Sequence, residues 1–261
     1  MELLRPIVRV GNSAGVVLPR EWLHGKAKVM LIEKAPEPEK EIFDILKDCL
    51  QDIVALAIVG SYARGEESAE SDVDVLAITS STNKKIKQGK YEILFVSEET
   101  LQEQLNRNIL PLFPMIIEAK PFINKELIEK YKNIKITKKN LSFHFDTTKS
   151  AMNVIKAEIA LANELNRPFL SDSVSYSLVL RLREIYIVDC LVKKKMWSKK
   201  RFLHLLKGGF GGLAAYEGYF RVKSGKKQKE KSLPIEEAGR LCLYISEKIK
   251  EQEKGWARVN K

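Results

Sequence analysis

The sequence predicts an α+β fold, α/β-like in its middle. It has three parts: a small N-terminal β hairpin module, a core of mixed strands and helices, and a C-terminal helical bundle. Three observations predict this. Short alternating apolar runs precede two prolines, Pro36 and Pro38. Strand-like runs then alternate with helical periods to about residue 125. From about residue 140 apolar residues recur almost only at helical spacing. At roughly 100–200 residues per domain, a 261-residue chain holds one large or two to three small domains. The boundaries drawn are 1–35, 39–135 and 140–261.

In the first part, RPIVRV alternates like a half-buried strand and GNSAG supplies turn residues. VVLP reads as a second strand stopped by Pro19, REWLHG as a turn, and KAKVMLIE as a third strand. Three short strands bury too little surface to stand alone, so a dimer or a supporting surface is expected. KAPEPEKE is a short linker.

In the second part, EKEIFDILKDCLQD carries a helical period and VALAIVG is a continuous apolar strand ending at Gly60. SYARGEESAES is a polar loop or helix start, and DVDVLAIT an alternating strand. TNKKIKQGK reads as a basic connection and YEILFVS as another strand. SEETLQEQLNRN is a helix with Ser97 as its cap and Glu98 and Glu99 in its first turn. In the third part, helices are expected over 146–166, 171–194, 198–207 and 232–254. GGFGG followed by LAAYEGYF reads as an interhelical turn.

Charge separates the parts further. The net charge is +11. It divides into +3 over residues 1–35, −3 over 36–145 and +11 over 146–261. No apolar run approaches the ~18–20 residues of a membrane span. MELLRPIVRV lacks the features of a signal peptide. Cys49, Cys190 and Cys242 are scattered without a CxxC, and the three histidines do not cluster. A cytoplasmic location without a membrane partner is expected.

Gly60-Ser61, ten residues, then Asp72-Val73-Asp74 is the stretch with the clearest chemistry. Asp72 and Asp74, two apart on a strand, point to one face. Two carboxylates there repel unless a cation neutralises them, which suits Mg²⁺ and its oxygen ligands. Gly60 permits close approach of backbone to a phosphate, and Ser61 adds a hydroxyl and an N–H. Arg64 is a candidate triphosphate contact. Glu92, on the next strand, approaches the Asp pair if the strands are neighbours. It would then serve as a base or a further metal ligand.

GSYARGEESAESDVDVLAIT closely resembles the signature of the DNA polymerase β-like nucleotidyltransferases. It is most similar to the minimal nucleotidyltransferases, with GSxARG followed by SDxDxxV. Leu76 and Ala77 depart mildly from that pattern. The resemblance implies a mixed-sheet core, Mg²⁺ and a nucleoside triphosphate, most simply ATP. It places metal ligation on Asp72 and Asp74, triphosphate contacts on Gly60 and Ser61, and the third carboxylate, usually Asp, on Glu92. The implied reaction moves a nucleoside monophosphate to an acceptor hydroxyl on a protein, an RNA or a small molecule.

RPIVRVGNSAGVVLPREWL resembles the AbrB/MazE-type swapped-hairpin modules. That likeness implies a homodimer whose Arg5, Arg9, Asn12 and Arg20 contact DNA. It supports an alternative, a transcriptional regulator or antitoxin-like protein with the second part as sensor or scaffold. A helical bundle after such a core is similar to kanamycin-type enzymes and to HEPN proteins. His144 and His204 lack the upstream Arg of HEPN ribonucleases. The basic runs at 193–195, 199–201 and 221–231, with Trp197 interleaved, suit a polyanion such as RNA.

Overall fold

The structure is a computed structural model, and it describes residues 3–30, 38–68, 71–210, 212–229 and 231–259. The chain divides into two compact units, Met1–Glu37 and Pro38–Lys261.

In the first unit, β1 (Ile7–Val10) pairs antiparallel with β2 (Ser13–Val16). Gly11, at φ +59°, opens the two-residue turn, as a II′ hairpin requires. A 3₁₀ turn follows at Arg20–Trp22. Two expectations change here. The second strand begins at Ser13 rather than Val16, because the short turn starts pairing at once. Residues 26–30 of the expected third strand have no regular structure, and residues 31–33 lie outside the described residues. No described residue of this unit is buried.

The second unit opens with α1 (Pro38–Leu46), a 3₁₀ turn (Lys47–Asp52), β3 (Ile53–Val59) and the short α2 (Gly60–Arg64). β4 (Val73–Thr79), β5 (Lys84–Gln88) and β6 (Tyr91–Ser97) follow. Then come α3 (Glu98–Arg107), α4 (Phe113–Glu118), β7 (Lys120–Ile123) and α5 (Lys125–Lys132). The sheet order is β5-β6-β4-β3-β7. β4 and β6 run parallel and the other neighbours antiparallel, which makes the sheet mixed. β5 occupies the stretch read as a basic connection. It is an edge strand, so one side needs no partner and its lysines stay in water. Ser97 caps α3 as expected, accepting the Thr100 N–H at 3.2 Å.

The helical region comprises α6 (Lys138–Glu164), β8 (Phe169–Leu170), α7 (Asp172–Val192) and α8 (Lys199–Phe210). It ends with α9 (Ala214–Lys223), β9 (Leu233–Pro234) and α10 (Ile235–Val259). α6 starts earlier than its apolar period suggests because Thr137 and Asn140 form a reciprocal capping box. Ser171 stands at the N-cap of α7 without a side-chain cap bond. α8 runs through Gly208 and Gly209, and α9 replaces the expected turn. α9 is a helix because Ala215, Gly218 and Tyr219 are buried. A Cβ on Gly218 would lie 2.6 Å from the Ser175 Cβ, so only Gly lets α9 approach α7 there. Asp172 locks the two helices together. It accepts from Arg221 at 2.8 and 2.7 Å, from the Lys229 N–H at 2.7 Å and from the Ser232 hydroxyl.

The two sheet faces have different tasks. Leu56, Ile58, Val73, Val75, Ala77, Ile93 and Phe95 pack with Ile42 and Leu46 of α1. Ala55, Ala57, Val59, Leu76, Ile78 and Val96 join one continuous core with α3 to α10. The helical region thus covers the second face. No helix among the described residues is long and apolar enough to cross a membrane.

Candidate functional site

Strand alternation decides which face carries the carboxylates. Asp74 shares parity with Leu76 and Ile78, so it lies on the face covered by the helices. Asp72, just before β4, has the same parity. The parallel register pairs Asp74 with Glu92. Directly paired residues of neighbouring strands share a face. The three sequence-predicted carboxylates therefore stand at one end of one face, two on adjacent strands and the third preceding β4.

On the other side of Asp74 is Val59, and the next residue is Gly60 at φ +71°. A Cβ at Gly60 would lie 3.0 Å from the Asp74 Cγ and 3.1 Å from its Cβ. Glycine is thus required twice, by backbone conformation and by room for Asp74. The Gly60 N–H donates to the Glu118 Oε1 at 2.7 Å. Ser61 is half-buried at the start of α2, and its hydroxyl finds no partner among the described residues.

Arg64 is held by two carboxylates. It pairs with Glu66 at 3.0 Å and also with Glu118. Its charge is therefore committed to positioning α2. Burial pushes the Glu118 carboxyl above its ordinary range, against Arg64, the Gly60 N–H and Arg183. Glu66 in turn accepts the Lys199 N–H at 3.3 Å and a bond from Ser198. The loop after α2 is thereby fastened to the start of α8.

The carboxylates are not gathered into a ligand set. Among the described residues no three His, Cys, Asp or Glu side chains are placed to hold a metal ion. Asp72 pairs with Lys87 at 3.3 Å and Glu92 with Lys85 at 2.5 Å. Both lysines are well exposed, and such exposed pairs are worth only about 0–1 kcal/mol. Asp74, by contrast, is half-buried. Burial first, and then the charges of Glu92 and Asp72, push its carboxyl above the ordinary range, with Lys223 and Arg64 opposing. A half-buried carboxylate with two like charges beside it, all oxygen donors, fits a hard divalent cation.

Two cations of the helical region act on the same face. Lys223, at the end of α9, feels Asp74, Glu92 and Asp72. Crowding by the surrounding chain and the charge of Arg183 still lower its pKa overall, although the residue reaches solvent. Arg183 is an exposed residue of α7. Neither was singled out individually from the sequence, although Lys223 lies in the 221–231 basic run. Glu118 was missed as well. Its only signal was a lone acid in the apolar run FPMIIE.

The hairpin candidates lie in the other unit. Arg5 precedes β1, Arg9 lies in β1, Asn12 is in the turn and Arg20 opens the 3₁₀ turn, and all four are exposed. Arg9 donates to the Gly11 carbonyl at 3.0 Å.

Residues 39–147 match the family model of the nucleotidyltransferase domain. Residues 39–147 are a nucleotidyltransferase domain. The matched stretch holds Asp72, Asp74, Glu92 and Glu118 and the strands β3 to β7. No curated protein matches the chain. Two solved structures are similar. One is a nucleotidyltransferase-like protein from Exiguobacterium sibiricum 255-15, with 12% identity and a TM-score of 0.37. That match covers 82% of this chain and 73% of the other. The second is a spectinomycin adenyltransferase from Enterococcus faecialis, solved with ATP and spectinomycin. It has 14% identity and a TM-score of 0.41, over 81% of this chain and 98% of the other.

Proposed function

We propose that this chain transfers a nucleoside monophosphate, most simply AMP from ATP, to an acceptor hydroxyl, with Mg²⁺ at the carboxylate face. The observation that carries this is the β4–β6 register, which sets Glu92 beside Asp74 on the face toward Lys223. Asp72 and Asp74 would hold the metal and Glu92 would complete its site. When bound, Mg²⁺ neutralises triphosphate oxygens and the charge that develops on pyrophosphate.

The chain's own residues supply the rest. Gly60 leaves the space in which the Asp74 carboxylate sits. Glu118 and Arg64 hold the turn from β3 into α2. Ser61 offers a hydroxyl where the triphosphate would pass. Lys223 and Arg183 bring positive charge from the helical region. Glu92, acting as base, would take the acceptor hydroxyl proton. The acceptor hydroxyl belongs to a protein, an RNA or a small molecule, and Lys223 of the 221–231 basic run favours a polyanion.

The test is incubation with labelled ATP, GTP, CTP or UTP, Mg²⁺ and an acceptor panel. Label transfer with pyrophosphate release is expected, lost in Asp72→Asn and Asp74→Asn. Label transfer that persists in both variants would refute the assignment.

A second reading has its own observation. Ile7, Val10 and Val17 of the hairpin unit are 52%, 58% and 67% exposed. We infer that a second copy covers them, giving a dimer that presents Arg5, Arg9, Asn12 and Arg20 to DNA. Retardation of the chain's own promoter DNA should vanish on removing residues 1–34 while label transfer persists.

A further inference from the structure

A cavity opens within the helical region. It has a volume of about 300 Å³ and is formed by α7, α8, α10 and the residues just after α7. None of the candidate site residues lines it. Its wall includes Leu182, Ile185 and Leu205, with the rings of Tyr186 and Tyr244. Leu182 and Ile185 are buried.

The polar groups of this wall are mostly satisfied within the protein. The Tyr186 hydroxyl accepts the Ser198 N–H at 3.1 Å. Asp189 accepts from the Gln252 Nε2 at 2.8 Å. Burial raises the Cys190 thiol above its ordinary range, so it stays a neutral wall group.

Three cations remain. Lys193, Lys195 and Arg201 line the same cavity and are exposed. Arg201 donates to the Met196 carbonyl, and none of the three pairs with a carboxylate among the described residues. An apolar cavity with unbalanced positive charge at its mouth is complementary to one ligand class. The apolar part gains by leaving water, and an anionic group is drawn to the cations without entering the wall.

We propose that this cavity binds a small amphiphile. Its apolar body enters between α7, α8 and α10, and its carboxylate or phosphate meets Lys193, Lys195 and Arg201. The site is distinct from the nucleotidyl-transfer site and does not depend on that reading.

The probe is 1-anilinonaphthalene-8-sulfonate, titrated into the full chain by fluorescence. Its uncharged counterpart is N-phenyl-1-naphthylamine. Saturable binding of the sulfonate is expected, with Lys193→Gln/Lys195→Gln weakening it about fivefold and leaving the uncharged probe unaffected. Leu205→Trp fills the cavity and should remove the binding of both probes at this site. Where that variant does not fold, as judged by circular dichroism, the lysine pair decides alone. Decanoate and decyl phosphate are then added as competitors. The one that displaces the sulfonate at lower concentration identifies the headgroup, with decanol as the neutral control.

Sulfonate binding unchanged in the lysine variant would place the probe elsewhere, such as the exposed hairpin, and overturn the proposal. Displacement by decanol as effective as by the two anions would overturn it too.

Discussion

Gly60→Ala and Gly65→Ala make a matched pair that isolates the space reserved for Asp74. Both glycines have positive φ, +71° and +66°. A side chain in that region costs about 1–2 kcal/mol. Loss of chain freedom in the unfolded state returns about 0.4–1 kcal/mol of it. Gly65→Ala should therefore destabilise by about 1 kcal/mol, because nothing lies within 4 Å of its Cβ. Gly60→Ala meets the same backbone penalty and a second one. Its methyl would sit 3.0 Å from the Asp74 Cγ. Carbon atoms prefer about 3.5–4.0 Å. Relieving that overlap moves the carboxylate or parts β3 from β4, a further cost of about 1–3 kcal/mol. Urea unfolding of both variants measures the difference, and pyrophosphate release measures the site. Gly60→Ala should unfold at lower urea than Gly65→Ala and lose activity, while Gly65→Ala stays active. Equal unfolding midpoints together with equal activities would refute the reasoning.

Three further outcomes follow from the structure. Asp172→Asn removes the buried partner of Arg221 and should cost about 3 kcal/mol at pH 7 in urea unfolding. Arg221, Ser232 and the Lys229 N–H hold the Asp172 carboxyl well below the usual carboxylate range. Its contribution is thus complete above about pH 4, and the gap between wild type and variant should narrow as pH falls towards the depressed value. Glu118→Gln keeps an acceptor for the Gly60 N–H but leaves Arg64 only Glu66, so stability should fall by about 2 kcal/mol. Its activity should fall as well, measured as pyrophosphate release. Lys223→Met should raise the KM for the nucleotide more than it lowers kcat, with folding unchanged by circular dichroism.

The carboxylate pair was legible in the sequence because both of its determinants are local. Two residues of spacing on a strand set Asp72 and Asp74 on one face, and the apolar run before Gly60 marks the strand end. Glu92 needed one more fact, that β4 and β6 are parallel neighbours. That depends on β5 turning back along the far edge, and KKIKQ has too few apolar residues to announce a strand. α9 was hidden for a related reason. Its glycine looks like a breaker in isolation, yet Gly218 is what the close contact with Ser175 demands. Glu118, Arg183 and Lys223 act across long sequence separations, which local patterns do not encode.

The C-terminal excess of positive charge is therefore several devices and not one grip. Arg221 is consumed by Asp172 and holds α9 against α7. That contact carries Lys223, only two residues further along α9, towards the carboxylate face. Arg183 adds to the same field from α7. Lys193 and Lys195, just after α7, and Arg201, in α8, line a cavity that includes neither Arg183 nor Lys223. A polyanion bound at the carboxylate face would thus be met first by Arg183 and Lys223. Neutralising the 193–201 cluster should then leave nucleotide turnover intact while Lys223→Met does not. The buried Asp172 carboxylate holds Arg221 and so fixes the end of α9 that carries Lys223.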